Sequence, residues 1–580
     1  MCGIAVILPN SAIEVPLDAI DRMTDALIHR GPDERSIWRH KDCHLGHTRL
    51  SILDRAGGGQ PMSDESGRFR IVFNGEIFNH PDLRATLESL GHRFHTRSDT
   101  EVLLHSYMQW GRQCVMRLNG QFAFALWDQT EHKLFVARDR FGEKPLYYAR
   151  TPGGHLVLAS EIKSLLASQW IQPRIDPLSV DAVLSLFHVP PDRTIYQNIQ
   201  VLPPAHAAVF TVDGGAEQWR YWQPSFSTRP IGEMDAVEGI RMLVQRAVRR
   251  QKVADLPVGC FLSGGLDSTT LAGQMAALSG GPVRTYAVGF GDLINELPFA
   301  RAAAQAYGTD HHELQMDIEV APALERMLEV YDEPFADSSN IPTWLVCEFA
   351  RRQVKVVLSG DGGDELFGGY DWYSPLLQAD AESPPLDPWL RHTRSSTHLH
   401  ADRSALWGHR RQPGTAAAMR ESFGPPDDAA GIDRALAFDL GCYLPGDILV
   451  KVDRAAMAHG LETRAPFLDV DLVEFVLSLP HEMRFKGGRL KYLMRQAFAE
   501  RWPPAIRARS KQGFGAPVDH WMRQPQVARM WHRVCSPASA LCALLPGTPR
   551  VAPTLRPQRQ WTLLCLGLWL EKHASCLQRL

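Results

Sequence analysis

The 580-residue chain has no apolar run approaching the roughly 18 residues that span a bilayer, which excludes a helical membrane protein. It has no excess of either charge. Its 62 Lys and Arg stand against 65 Asp and Glu, a formal net charge of -3, so neither nucleic acid nor an anionic membrane surface is an expected partner. Basic residues pair only locally, as at Arg249-Arg250 and Arg351-Arg352, a pattern of solvated helix faces. The ten cysteines include no C-x-x-C pair, which argues against structural zinc and against a disulfide framework. In a reducing compartment most of them act as small buried hydrophobes. The opening "MCGIAVILPN" lacks the basic n-region and the length of a secretory signal, so the expected location is the cytoplasm. There is no internal repeat and no Gly-Lys-Ser/Thr of a Walker A loop.

What is present is enough chain for two domains or three, since a single core does not grow this large. Residues 1 to about 225 read as strand-rich. "GIAVIL", "FRIVFNGEIFN", "FAFALWD" and "KLFVARD" are short apolar runs broken by Gly, Asn and Asp turns. "LDAIDRMTDALIHR" and "DTEVLLHSYMQWG" read as helices, the second with an N-cap signal at Asp99 and Thr100. "YWQPSFSTRPIGE" (221–233) has the composition of a linker. From about 235 strands alternate with helices: "MDAVEGIRMLVQRAVRRQ", "VGCFLSGGLDSTTLAGQMAAL", "VRTYAVGF" and "RQVKVVLSGDGGDELFGGY". That alternation predicts a parallel sheet with its ligand at the strands' carboxyl ends. Residues 375–435 carry little signal, "LVEFVLSLP" reads as a core helix, and helical texture resumes at about 436.

Two places call for chemistry. "FLSGGLDSTT" (261–270) sets Ser263, Gly264 and Gly265 between a strand and a helix, where glycines and free helix N–H groups admit phosphate. It resembles the PP-loop, S-G-G-x-D-S, of enzymes that cut ATP between its α and β phosphates. Asp267 repels a polyanion unless a cation intervenes, so it is a candidate magnesium ligand. "LSGDGGDELFGGY" (358–370) brings Asp361, Asp364 and Glu365 after another strand. The second place is Cys2. Once Met1 is removed, a free α-amine with a pKa near 8 can serve as base for its own residue's thiol.

Taken together the chain resembles the glutamine-hydrolysing asparagine synthetase family over nearly its whole length. "MCGI", "HRGPD", "HTRLSILD", "FNGEIFN", "SDTEVLLHSY", "LNGQFAFALWD" and "RDRFGEKPLYY" are similar to class II glutamine amidotransferases. "FLSGGLDS", "DEPFADSS", "LSGDGGDELFGGY", "DRAAMAHGLETRAPFLD" and "KQGFGAPVDHW" are similar to the synthetase domain. The resemblance implies an α+β N-terminal nucleophile hydrolase domain (2–220), an αββα sandwich. An α/β parallel-sheet PP-loop domain with a helical C-terminal part (235–572) would follow. It implies that Cys2 attacks the glutamine side-chain amide and releases ammonia, with Asn74 and Gly75 as oxyanion donors. Arg49 would hold the glutamine carboxylate and Glu76 and Asp99 its α-amine, with Leu50, Ser51 and Ile52 also binding glutamine. ATP would contact Phe261, Ser263, Gly264, Gly265, Asp267, Ser268, Val288, Ser359 and Gly360. Mg2+ would be held by Asp267 and Asp364, and Lys491 would touch phosphate. The expected reaction forms an acyl-adenylate, and ammonia then displaces AMP to give an amide. A covered passage between the sites and a homodimer are further family expectations.

One position departs from the family pattern. Well-studied members carry Glu where this chain has Asp361, a carboxylate placed to deprotonate ammonia. Asp is shorter by one C–C bond, about 1.5 Å, and proton transfer needs hydrogen-bond reach. Aspartate is the first expectation for the acceptor. A uronic acid of a surface polysaccharide and a peptide or secondary-metabolite precursor remain alternatives. A β-lactam-forming cyclase, which lacks a working glutaminase, fits poorly with Cys2, Arg49, Asn74 and Asp99 all present. A non-catalytic relative would be expected to have lost Cys2 or Asp267.

Overall fold

The computed structural model describes all residues except 11–14, 17, 290–294, 317, 378–397, 399, 411, 425–431, 510–514 and 574–580. The start of the "KQGFGAPVDHW" motif, much of the low-signal stretch 375–435 and Cys576 thus lie outside the described residues.

Among the described residues, twelve strands fill the first 220 positions. They are β1 (Cys2–Leu8), β2 (Glu34–His40), β3 (Cys43–Arg49), β4 (Met62–Ser63), β5 (Phe69–Ile77) and β6 (Gly120–Asp128). Then come β7 (Lys133–Arg138), β8 (Tyr147–Arg150), β9 (Leu156–Ala159), β10 (Gln200–Val201), β11 (His206–Thr211) and β12 (Ala216–Arg220). They form two six-stranded sheets, β10-β8-β9-β1-β3-β2 and β12-β11-β7-β6-β5-β4. The strands alternate between two interiors. In β1, Ile4, Val6 and Leu8 enter the core between the sheets, while Ala5 and Ile7 enter the core under the outer helices. In β6, Ala123, Ala125 and Trp127 face the first and Phe122, Phe124 and Leu126 a helix-covered core of their own. A strand buried on both faces reads as an unbroken apolar run, which explains "GIAVIL" and "FAFALW". The result is the four-layer αββα sandwich that the resemblance implies.

The helix Asp99–Trp110 forms as expected, but its cap is Ser98, whose side chain accepts the Thr100 N–H. Asp99 lies inside the first turn, and its carboxylate instead accepts the Ile77 N–H at 2.9 Å. The helices His80–Ser89, Ile162–Ala167 and Pro177–Leu186 were not legible as such in the sequence. The 221–232 connection has no regular structure, yet it is pinned. Tyr221 Oη donates to Arg138 O at 2.7 Å, and Phe226 is buried.

A second sheet system follows: β13 (Val258–Phe261), β14 (Arg284–Gly289), β15 (Asp310–Gln315), β16 (Val356–Leu358) and β17 (Glu462–Arg464), in the order β15-β14-β13-β16-β17. Every pairing in it is parallel. Because β14 lies on one side of β13 and β16 on the other, the chain direction splits at the carboxyl end of β13, where such sheets hold ligands. Helices dominate the rest, including Val470–Leu477 from "LVEFVLSLP" and the buried Pro557–Lys572. A ten-residue π-helix, Asp439–Ile448, contains Pro445 and runs directly into the helix Leu449–Met457. Proline lacks the N–H that an α-helical turn would need there.

The two parts are joined by buried ion pairs. Arg30 bridges Glu161 at 2.7 Å and Asp453 at 2.8 and 3.0 Å. Arg454, next along the same helix, takes Glu161 from the other side at 2.7 Å. Burial opposes ionisation of Asp453, but Arg30 and Lys144 outweigh it and hold its pKa below the usual range. Asn119 Nδ2 donates to Asp469 at 3.0 Å, and the Asp54 N–H donates to Asp255 at 2.9 Å.

Candidate active sites

The first site is built by strand register. β1 and β3 pair antiparallel with Cys2 opposite Arg49, so two residues 47 apart in sequence become neighbours. β5 runs beneath, and its Asn74 Oδ1 accepts the Cys2 N–H at 2.9 Å. That bond orients the amide, leaving Asn74 Nδ2 buried with no hydrogen-bond partner among the described residues. A buried donor without a partner costs about 1–3 kcal/mol, so this one is a mark of a ligand oxygen. Gly75 follows with φ +153°, and a Cβ there would lie 2.0 Å from Gln121 O. Only glycine fits at this place inside β5, opposite Phe122.

Burial raises the Cys2 thiol pKa, partly offset by the N-terminal ammonium, the Leu50 N–H and Arg49. The thiol is therefore no thiolate by itself and needs a base. Arg49 is fixed by the carbonyls of Asp54 at 2.8 Å and Arg55 at 3.1 Å and by Glu34 at 3.3 Å. Leu50 donates its N–H to Met1 O at 3.1 Å, Ser51 donates to Asp33 at 2.8 Å, and Ile52 O accepts from Asp255. Glu76 and Asp99 are both buried. Burial raises both pKa values, Glu76 furthest; Asp99 and Glu462 add to it at Glu76, while His80 and the Ile77 N–H offset it at Asp99. Arg464 reaches Glu76 at 3.3 Å and cannot satisfy both. Two buried carboxylates short of positive charge make a seat for an ammonium group.

Sequence reasoning quoted Glu462 and Arg464 within a motif and gave neither a role. Glu462 Oε2 accepts from the Met1 ammonium at 2.8 Å, and Arg464 Nε donates to Glu462 at 2.6 Å. Despite burial, the ammonium and Arg464 hold the Glu462 pKa down at about 2. The only signal in the sequence was a Glu and an Arg two apart in a short strand, a spacing that points both to one face.

The second site lies at the split of the parallel sheet, in a cavity of about 510 Å³. Phe261, Ser263, Gly264, Gly265, Asp267, Ser268, Val288, Ser359, Gly360, Asp361 and Asp364 all line it, as does Lys491 from 123 residues beyond Gly368 in the chain's fold. Ser268 Oγ accepts the Ser263 N–H at 3.2 Å and lies 3.1 Å from Ser263 Oγ, closing the loop on itself. Gly264 has φ +72°, and a Cβ there would meet Phe299 at 2.5 Å. Lys491, itself at φ +53°, stands between two carboxylates: its Nζ is 2.5 and 2.6 Å from Asp267 and 2.6 Å from Asp364. Burial works against its charge, but these two carboxylates outweigh it and raise its pKa.

Asp267 and Asp364 thus converge on one point and offer only oxygen. Mg2+ takes one or two carboxylates and completes its shell with water and substrate phosphates, so these residues fit it. No cluster of three or more ligating side chains occurs among the described residues. Asp361 is buried, and its Oδ2 accepts from Ser359 Oγ at 2.5 Å. Burial raises its pKa, against the Ser359 hydroxyl and Lys451, which lower it. Asp361 and Ser359 also line a small second cavity with Glu143, Lys144 and Arg464, between the two parts of the chain.

The comparisons agree in both halves. The family model described as asparagine synthase matches residues 239–571, and that described as glutamine amidotransferase domain matches residues 1–222. Asparagine synthetase [glutamine-hydrolyzing] 3 of Bacillus subtilis is 36% identical, covering 85% of this chain and 83% of the relative. Asparagine synthetase [glutamine-hydrolyzing] 1 of the same organism is 32% identical over 90% and 88%. A putative asparagine synthetase [glutamine-hydrolyzing] of Mycobacterium bovis is 34% identical over 95% and 93%.

Proposed function

Since the chain belongs to the asparagine synthase family, we propose that it is a glutamine-hydrolysing, ATP-dependent amide ligase. Residues 2–220 release ammonia from glutamine, and residues 235–572 use it to convert aspartate to asparagine, with AMP and pyrophosphate as by-products. The observation that carries this is β17. Its Glu462 touches the N-terminus beside Cys2, and its Arg464 O accepts the Ser359 N–H in the cavity where Asp361 sits. Three residues of one strand therefore edge both sites.

In the first half-reaction Met1 is removed and the Cys2 nitrogen becomes an amine. It takes the thiol proton, and sulfur attacks the glutamine amide carbon. Asn74 Nδ2 and the Gly75 N–H receive the oxyanion. Arg49 binds the glutamine carboxylate, and Glu76 and Asp99 its ammonium. The C–N bond breaks, ammonia leaves, and water cleaves the thioester.

In the second, the PP-loop from Ser263 to Ser268 cradles the ATP phosphates, while Phe261 and Val288 flank the base. Lys491 stabilises charge on the phosphates as the acceptor carboxylate attacks the α-phosphate. Asp267 and Asp364 would hold Mg2+, which when bound neutralises the leaving pyrophosphate. Asp361 takes the proton from the attacking ammonia. The absence, among the described residues, of any helix long and apolar enough to cross a membrane is consistent with a cytoplasmic site of action.

A second reading keeps the chemistry and changes the acceptor to a larger carboxylate, such as a uronic acid or a peptide precursor. It is favoured by the stacked pair Tyr370–Trp372, with centroids 4.0 Å apart, on the cavity wall. The test is a substrate panel with glutamine, Mg-ATP and one acceptor at a time, read for AMP, pyrophosphate and amide by mass spectrometry. Asparagine formed in step with AMP supports the first reading. Glutamine hydrolysis with no AMP from aspartate turns the search to the larger carboxylates.

A further inference from the structure

Among the described residues, the mechanism above leaves one buried cation of the large cavity without work. Lys491 clamps the two metal-binding carboxylates. Arg509 is tied to Glu296 at 2.6 Å and to Ser263 O at 3.1 Å. Lys451 is different. It lines the cavity, is 7% exposed, and stands in the first turn of the helix Leu449–Met457, just past the π-helix. Its Nζ is 2.8 Å from Asp337 Oδ2 and 2.9 Å from Ser339 Oγ, and both of those residues also line the cavity.

The place of this pair fixes what it can meet. Asp361 belongs to both the large cavity and the small one beside it, so the acyl carbon that ammonia attacks lies near Asp361. Lys451 and Asp361 line the same cavity, and the charge of Lys451 acts on Asp361. A cation that gripped the reacting carboxylate would stabilise the ground state and blunt its attack on phosphorus. A cation is useful there only if the acceptor has a second, unreacting anion. Beside it, Asp337 stays ionised: burial opposes its charge, but Lys451 outweighs burial and keeps its pKa low. Asp447, in contact with Asp337 and Tyr443, has its pKa pushed well up by burial and by Asp337. The pair thus presents one ammonium and one carboxylate side by side, the complement of an α-carboxylate next to an α-ammonium.

We propose that the Lys451–Asp337 pair is the recognition site for the unreacting end of the acceptor, Lys451 taking its α-carboxylate and Asp337 its α-ammonium. The acceptor class is an acidic α-amino acid. This rests on the amide-ligase reading and selects within it. The π-helix has a part: it carries Tyr443 and Ile448 to the cavity and sets the start of the helix that bears Lys451.

The experiment compares three acceptors in the full-length enzyme by AMP release: aspartate, succinate (no amine) and 3-aminopropionate (no α-carboxylate). In the unaltered enzyme aspartate should lead both analogues by about tenfold or more in kcat/KM, the worth of one charge-assisted contact. Lys451→Met should raise the KM for aspartate by about tenfold or more while 3-aminopropionate changes little. Asp337→Asn should likewise erase the preference over succinate. Lys451→Arg should restore part of the aspartate preference. Glutaminase activity and the KM for ATP, measured on the same preparations, report whether the variants are folded. If Lys451→Met is folded and leaves the aspartate KM unchanged, or lowers all three acceptors equally, the proposal is wrong and the amide-ligase reading stands. If the unaltered enzyme releases no AMP with aspartate, the reading of the reaction fails first and takes the proposal with it.

Discussion

At the N-terminal site the carboxylates of Glu76 and Asp99 lie buried with one guanidinium in reach, Arg464 at 3.3 Å from Glu76. At the C-terminal site those of Asp267 and Asp364 close on Lys491 at 2.5–2.6 Å. The first arrangement is short of positive charge and suits a substrate that brings an ammonium. The second already holds a cation and suits a polyanion. The supports differ as well. Cys2, Arg49 and Asn74 sit on antiparallel strands, so register alone sets their geometry. Asp267, Asp361 and Asp364 sit on loops and helix starts after parallel strands, where backbone N–H groups are free to meet phosphate. Similar side chains therefore do opposite work because of the charge balance and the backbone that carries them.

The comparison is tested most strongly by separating the halves. Cys2→Ala should cut glutamine hydrolysis by about 10⁶-fold, as loss of a nucleophile does, while synthesis from added ammonium persists. Asp364→Asn should do the reverse, abolishing AMP release and sparing glutaminase turnover. If each change silences both activities, the sites are not chemically separate.

Arg30→Ala strikes what joins them. It leaves Glu161 and Asp453 buried without their shared partner, a loss of about 3–5 kcal/mol for a broken buried pair. Calorimetry should show a lower unfolding midpoint, and the ratio of glutamine consumed to AMP formed should rise. An unchanged ratio would mean that the ion pairs hold the parts together without coupling them.

Asn74→Ala removes the partnerless buried donor. It should lower the glutaminase kcat by about 10²–10³-fold with little change in KM, the cost of one oxyanion donor. A change confined to KM would place Asn74 in substrate binding.

The smallest effect concerns Glu365 at the C-terminal site. Burial, then Asp364, raises its pKa to about 8. Below about pH 4.5 the carboxyl is protonated folded and unfolded, and it contributes no pH dependence. Between there and about pH 8 only the unfolded chain ionises it, so stability falls as pH rises. Glu365→Gln should remove that slope, leaving the variant's unfolding midpoint less sensitive to pH than the parent's between pH 5 and 8. Equal slopes would show that Glu365 does not titrate in this range.

The sequence carried much of this because both sites depend on short, contiguous signatures. "FLSGGLDS" and "LSGDGGDELFGGY" pack a strand end, glycine turn and acid into a few residues, so the cleft between β13 and β16 was legible before any coordinates. Register was not. Cys2 meets Arg49 through a pairing of strands buried on both faces, where no polar alternation marks which side chain faces which. Ser98 took the cap expected at Asp99 because Asp99 was drawn instead to the Ile77 N–H of a neighbouring strand. The links between the halves join residues hundreds of positions apart, as Arg30 to Asp453, and no local pattern announces them. Lys451 escaped for a related reason: its meaning comes from Asp337, on a different segment.

The central claim is that nitrogen passes from the first site to the second within one molecule. It is tested most directly by giving the enzyme amide-¹⁵N glutamine, Mg-ATP and aspartate in a large excess of unlabelled ammonium. The account predicts asparagine labelled well above the isotope ratio of the free ammonium pool, formed in step with AMP. Asparagine carrying only the pool's isotope ratio, or glutamine hydrolysis with no AMP and no amide, would contradict it.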